Sequence, residues 1–150
     1  MIYVSIIFFI LFIDILSKYI INLNLNLFEM REILNNKLYL KHIKNEGIAY
    51  SILSKKYNFI MSFSIIILFV LIIYFIKILK LNKNFLEKLS LSFVIGGALG
   101  NFIERLKFRK VTDFIYVRCK YMPIFNIADI FIFLGNIFYL FFSLRKNNFK

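Results

Sequence analysis

The sequence predicts an all-α integral membrane protein: four transmembrane helices with a small extracytoplasmic β-like platform. Three observations carry that expectation. Of 150 residues, 61% are hydrophobic and 20 are Phe, more apolar surface than a soluble domain hides. The apolar residues gather in four runs of about 20, each long enough at helical rise to cross a ~30 Å core. The net charge of +12 is spread over the connections between runs. Charge so placed anchors a chain to an anionic membrane surface and argues against nucleic-acid binding.

The elements follow in order within one membrane domain over residues 1–150. The first run, 2–21, has no basic leader and no small-residue cleavage site, so it reads as a retained span rather than a removable signal peptide. The second, 57–79, is the most plainly lipid-facing. The third is 85–106 and the fourth 124–144. A short basic turn at 80–84 joins spans two and three. The longer stretches 22–56 and 107–123 then share one side, opposite both termini. Within them "KLYLKHI" and "VTDFIYV" are rich in β-branched and aromatic residues and partly alternating, which predicts two short strands. In an extended 111–117, Val111, Asp113, Ile115 and Val117 share a face. The positive-inside rule is nearly balanced. Lys77, Lys80, Lys83, Lys88, Arg145, Lys146 and Lys150 stand on the side of the termini, and Arg31, Lys37, Lys41, Lys44, Lys55 and Lys56 stand in the longer loops. The density of charge beside the short turn favours cytoplasmic termini.

A charge at a span centre costs about 2.5–3.5 kcal/mol, so each polar residue there needs a reason. Asp14 lies roughly 20 Å along the first span. Ser17 and Lys18 share its face, which predicts a structural Asp–Lys pair with Lys18 reaching for the interface. Gly96 and Gly100 form a small-xxx-small pattern suited to close helix approach. Asn101 and Arg105 are one turn apart. Arg105 needs a carboxylate; Glu104 points about 100° away around the helix, leaving Asp113 as the nearest acid on that side. Asn126 and Asp129, after Pro123, read either as a cap with a first-turn acid or as part of a site with Asp113. Two carboxylates held close cannot both ionise cheaply, so such a pair keeps one proton. It can then activate water and protonate a scissile carbonyl, with Asn101, Arg105 and Asn126 as orienting donors. Spacing leaves both readings open. The single Cys119 and single His42 exclude an internal disulfide and a cysteine-based metal site and leave no Ser–His or Cys–His nucleophile. His42 reads as a packing or surface residue.

Four motifs in order, "DILSK" at 14–18, "NEGIAYS" at 45–51, "GGALGNFIERL…VTDFI" from 96 to 115 and "PIFNIAD" at 123–129, resemble the lipoprotein signal peptidases (signal peptidase II) over nearly the whole chain. The resemblance implies an aspartyl endopeptidase of the bacterial plasma (inner) membrane. Such an enzyme removes the signal peptide from prolipoproteins before a diacylglyceryl-modified Cys, without metal or cofactor. It implies Asp113 and Asp129 as the catalytic pair, Asn45, Asn101, Arg105 and Asn126 as supporting residues, and Asp14 as a stabiliser of the fold. It also implies an active site toward the extracytoplasmic side and cytoplasmic termini. Partners expected are diacylglyceryl-modified prolipoproteins and membrane lipids, with no nucleic acid and a monomeric state. The chain departs from the pattern at Glu104, where Asp is usual, at Tyr116, where a second Asp often follows "DFI", and at Tyr50, where Phe is usual. Two alternatives stand beside it: a small proton- or ion-coupled transporter relaying through Asp14 and Asp129, and an inactive relative acting as a scaffold. The lack of an internal repeat weighs against transport.

Overall fold

The computed structural model describes residues 1–47, 52–53, 55–81 and 84–147. Among them are four helices: α1 (Ile2–Asn24), α2 (Tyr57–Lys80), α3 (Phe85–Phe108) and α4 (Ile127–Asn147). Each is long and apolar enough to cross a membrane. Three strands, β1 (Met30–Leu34), β2 (Leu38–Asn45) and β3 (Val111–Val117), form an antiparallel sheet in the order β1-β2-β3. Of the 80–84 turn, Lys83 lies outside the described residues, as do Lys150 and the Ile48–Ser51 part of the "NEGIAYS" motif.

Three helix ends differ from the apolar runs, each for a local reason. α1 continues to Asn24 because Asn22 and Asn24 donate to the carbonyls of Lys18 and Ile20, one turn back. α3 runs on to Phe108, where Arg109 in the left-handed region returns its N–H to the Arg105 carbonyl. α4 starts at residue 127 rather than 124 because Phe125 is still paired with Ile115 of β3.

α3 is the hub against which the other three helices pack. Its glycines explain how. A Cβ on Gly96 would come within 2.9 Å of Ile10, and one on Gly100 would strike the Asp14 carboxylate, so the predicted small-residue face is the α1 contact. Gly97 opens the opposite flank, where a Cβ would meet the Ala128 carbonyl of α4. Ile7, Phe75, Ile78, Leu91 and Ile95 fill the core at the end of the bundle that carries the N-terminus. α2 turns Phe59, Phe63, Ile66, Phe69 and Ile73 outward, toward lipid.

The sheet sits on the other end. Ile21 of α1 and Leu25 just past its end pack with Phe114 of β3, and Ile127 of α4 closes the cluster. Both expected strands form. β3 is buried on both faces through Val111, Thr112, Asp113 and Phe114: Phe114 packs on Ile21 and Leu25 and Thr112 meets Glu104 on one side, while Asp113 meets Asn126 on the other. β1 carries no periodic signal because all five of its residues are exposed. His42 is buried with Nδ1 2.9 Å from the Leu25 carbonyl, a packing role. Cys119 is exposed and free.

Candidate active site

Asp113 is brought into place by strand register. Ile43 stands opposite Asp113 and Asn45 opposite Val111, so Asn45 is a diagonal same-face neighbour of Asp113. Its Nδ2 donates to Asp113 Oδ2 at 2.9 Å. The Ile115–Phe125 bridge holds the chain entering α4 against β3. The next residue, Asn126, is fully buried and donates from Nδ2 to Asp113 Oδ1 at 2.7 Å.

Asn126 also starts α4. Its Oδ1 accepts the Asp129 N–H at 3.0 Å, while Asp129 Oδ2 accepts the Asn126 N–H at 3.2 Å. This is a reciprocal capping box at the expected i, i+3 spacing. Asp129 Oδ1 accepts from Asn101 Nδ2 at 2.8 Å. The cap reading and the convergent reading of Asp129 are therefore both realised: one Asn both caps the helix and links the two acids. Asn45, Asn101, Arg105, Asp113 and Asp129 line one cavity of about 210 Å³, walled by Val111 and the stretch from Pro123 to Phe125. Burial pushes the Asp113 carboxyl up to about 7; the Asn45 hydrogen bond pulls it back down, and the charge of Asp129 adds to the rise.

Arg105 does not make the expected ion pair with Asp113. Its Nη2 donates to the Gly47 carbonyl at 2.9 Å, and its Nε has no hydrogen-bond partner among the described residues. Gly47 is held in turn by its own N–H on Asn45 Oδ1 at 2.9 Å. Asp113 is satisfied by amides instead.

A second cluster backs the first. Asp14 is fully buried and accepts Lys18 Nζ at 2.7 Å and the Ala128 N–H at 2.9 Å. The predicted Asp–Lys pair forms, but Lys18 does not reach for the interface. It is only 4% exposed and turns inward, 3.4 Å from Glu104, and it donates to Asn101 Oδ1 at 2.9 Å. With Oδ1 occupied by Lys18, Asn101 can present only its NH₂ to Asp129. Glu104 accepts both the Thr112 N–H at 3.0 Å and its hydroxyl, and Thr112 Oγ1 also accepts Lys44 Nζ at 2.7 Å. The inward turn of Lys18 and the part of Thr112 carry no sequence signal, since both depend on where α1 and β3 meet. Tyr116, at a position of departure, lies against Tyr39 across the sheet, the rings tilted with centroids 5.8 Å apart; Tyr50 lies outside the described residues.

Four apolar helices and a polar cavity under a small sheet define a multi-pass membrane protein whose site sits at one end of its bundle. The chain belongs to the signal peptidase II family: the family model described as Signal peptidase (SPase) II matches residues 6–145, and the protein is accordingly a multi-pass protein of the bacterial inner membrane. It is 43% identical to the lipoprotein signal peptidase of Buchnera aphidicola subsp. Schizaphis graminum (strain Sg), over 91% of this chain and 89% of that protein. It is 36% identical to that of Staphylococcus haemolyticus (strain JCSC1435), over 94% and 89%. Among solved structures, a bacterial membrane enzyme determined by the in meso method at 2.3 Å superposes with a TM-score of 0.91 at 33% identity, covering 99% of this chain and 90% of that one.

Proposed function

We propose that this protein is an aspartic endopeptidase that removes the signal peptide from bacterial prolipoproteins, cleaving before the diacylglyceryl-modified Cys, with Asp113 and Asp129 as the catalytic pair. One observation carries the assignment. The two acids share Asn126, line one cavity, and among the described residues form no ion pair. Amide donors favour the anion less than a cation would, and burial with the charge of the second acid outweighs them at Asp113, so the pair holds one proton between them. A water in the cavity attacks the scissile carbonyl carbon as its proton passes to the ionised member. The protonated member gives its proton to the carbonyl oxygen. The tetrahedral intermediate then collapses as a proton reaches the amide nitrogen and the C–N bond breaks. No covalent enzyme intermediate and no metal are needed.

Asn45, Asn101 and Asn126 set the carboxylate orientation. Arg105, with Nε unpartnered among the described residues, is a donor for substrate backbone. The sheet end faces the extracytoplasmic side, the termini lie in the cytoplasm, and the signal helix of the substrate lies in the bilayer among α2, α3 and α4. The site is built within one chain, consistent with a monomer. Cleavage of a fluorescent lipopeptide carrying a diacylglyceryl-Cys tests the proposal. Wild type cleaves, and Asp113→Asn and Asp129→Asn each lose about 10²–10⁴-fold in kcat while remaining folded. Cleavage that survives either substitution overturns the pair.

A further inference from the structure

A second groove is separate from the catalytic cavity and larger than it. It has a volume of about 530 Å³, lies between α1 and α3 near the sheet, and shares no lining residue with the cavity of Asp113 and Asp129. Gly100, Ile103, Glu104 and Lys107 lie along one face of α3 at i, i+3, i+4 and i+7. Asn101 and Arg105 are turned away from that face. The groove is graded along the bundle. Ile15 sits roughly 10 Å deeper than Asn22, and Ile103 roughly 6 Å deeper than Lys107, at helical rise. The deep end is apolar, and the end near the sheet carries Asn22, Lys44 and Lys107.

Charge is unbalanced at that upper end. Lys18 is neutralised by Asp14 at 2.7 Å and Glu104 at 3.4 Å. Lys44 is 3.7 Å from the same Glu104, which is already shared. Lys107 has no carboxylate within ion-pair distance among the described residues; its Nζ lies over the Phe108 ring at 5.1 Å. Burial lowers the Lys44 ammonium below its usual range; Glu104 offsets part of this by charge and hydrogen bond, and the charges of Lys110 and Lys18 add to the fall. Three lysines thus face two carboxylates, and Lys44 and Lys107 stand over an apolar channel with one positive charge in excess.

We propose that this groove binds an anionic glycerophospholipid from the leaflet on the sheet side, its phosphate between Lys44 and Lys107 and one acyl chain along Ile15 and Ile103. A zwitterionic lipid would bring its own cation toward the lysines. A diacylglyceryl group, as on a prolipoprotein, has no phosphate to offer them. The site is independent of the catalytic reading and stands or falls without it.

The chain contains no Trp, so Phe108→Trp places a single reporter on the groove. Quenching is measured in phosphatidylcholine vesicles containing phosphatidylglycerol or phosphatidylcholine with brominated acyl chains. The expected preference for brominated phosphatidylglycerol is about fivefold for each engaged lysine. Adding Lys44→Gln and Lys107→Gln abolishes it, whereas Lys55→Gln with Lys56→Gln, outside the groove, leaves it intact. A second reporter, Phe63→Trp on the lipid face of α2, shows no such preference. Equal preference at both reporters, or a preference that survives the groove substitutions, overturns the site and leaves only general attraction to a basic protein. Should Lys44→Gln fail to fold, Lys107→Gln alone must still lower the preference about fivefold. One-for-one displacement of phosphatidylglycerol by brominated diacylglycerol also overturns the proposal and assigns the groove to the lipid of the substrate.

Discussion

Two acidic clusters lie side by side at the sheet end and share Asn101, yet they solve the problem of buried charge in opposite ways. Asp14 and Glu104 are met by Lys18 at 2.7 and 3.4 Å. Asp113 and Asp129 are met by the amides of Asn45, Asn101 and Asn126 and by a backbone N–H. A lysine partner fixes a carboxylate as an anion and welds helices together. An amide partner sets its direction and favours the anion only modestly, so burial and the neighbouring acid still raise Asp113. On the proposed function the first arrangement is scaffolding and the second a reagent, although both are made of carboxylates and short distances. Lys18 is the hinge between them, since the ammonium that closes the first cluster also sets the amide orientation of Asn101 in the second.

The comparison breaks most visibly at Lys18. Lys18→Met leaves Asp14 buried without its cation and should lower stability by about 3–5 kcal/mol, read as thermal unfolding in detergent. Adding Asp14→Leu should restore most of that loss; a double variant no more stable than the single would mean the pair is not the source. Next comes Asn126→Ala, which removes the residue common to both acids. It should lower kcat about 10²-fold with little change in KM, and an equal rise in KM would place Asn126 in substrate binding instead. The pH dependence sharpens the contrast further. The Asp113 carboxyl is raised from its ordinary 3.8 to about 7, so its contribution to stability is complete below pH 3.8 and is lost as pH rises through 7. Asp113→Asn should flatten that decline, whereas Asp14→Asn should destabilise. Over the same range the pair loses its shared proton, and kcat/KM should fall about tenfold per pH unit above 7; a profile flat to pH 9 contradicts a singly protonated pair. The smallest effect is expected at Gly100→Ala, which crowds the Asp14 carboxylate and should cost about 1–3 kcal/mol with the catalytic constants nearly unchanged.

Much of this was legible in the residues. Four spans follow from apolar runs alone, two of the three strands from β-branched and aromatic segments, and the small-residue face of α3 from Gly96 and Gly100. Capping chemistry was readable at Asn126 and Asp129 because it is local, i to i+3. What sequence could not reach was long-range. β1 is exposed throughout, so its strand character comes only from pairing with β2. The inward turn of Lys18 requires Asn101, 83 residues on, to stand opposite it. Arg105 lacks the carboxylate its charge suggested because a loop carbonyl, Gly47, takes its guanidinium. α4 starts at 127 rather than 124 because a single bridge to β3 outweighs helix propensity at Phe125. The pairing of Asp113 with Asp129 lay between these extremes: the residues were visible, but strand register and one shared Asn decide their meeting.

The glycines of α3 have a consequence for how this chain can change length. Gly96 and Gly100 seat α1 on one flank, Gly97 seats α4 on the other, and Asn101 and Arg105 follow within two turns. All are held in one angular phase. Inserting or deleting a single residue between 96 and 105 would rotate everything beyond it by about 100°, turning side chains into both neighbours and swinging Asn101 away from Asp129. α2 keeps one face in phase, through Phe75 and Ile78 in the core, where α3 must keep several. Length variation in this chain is therefore expected to collect in the loops, and α3 to behave as a fixed ruler against which the rest is measured.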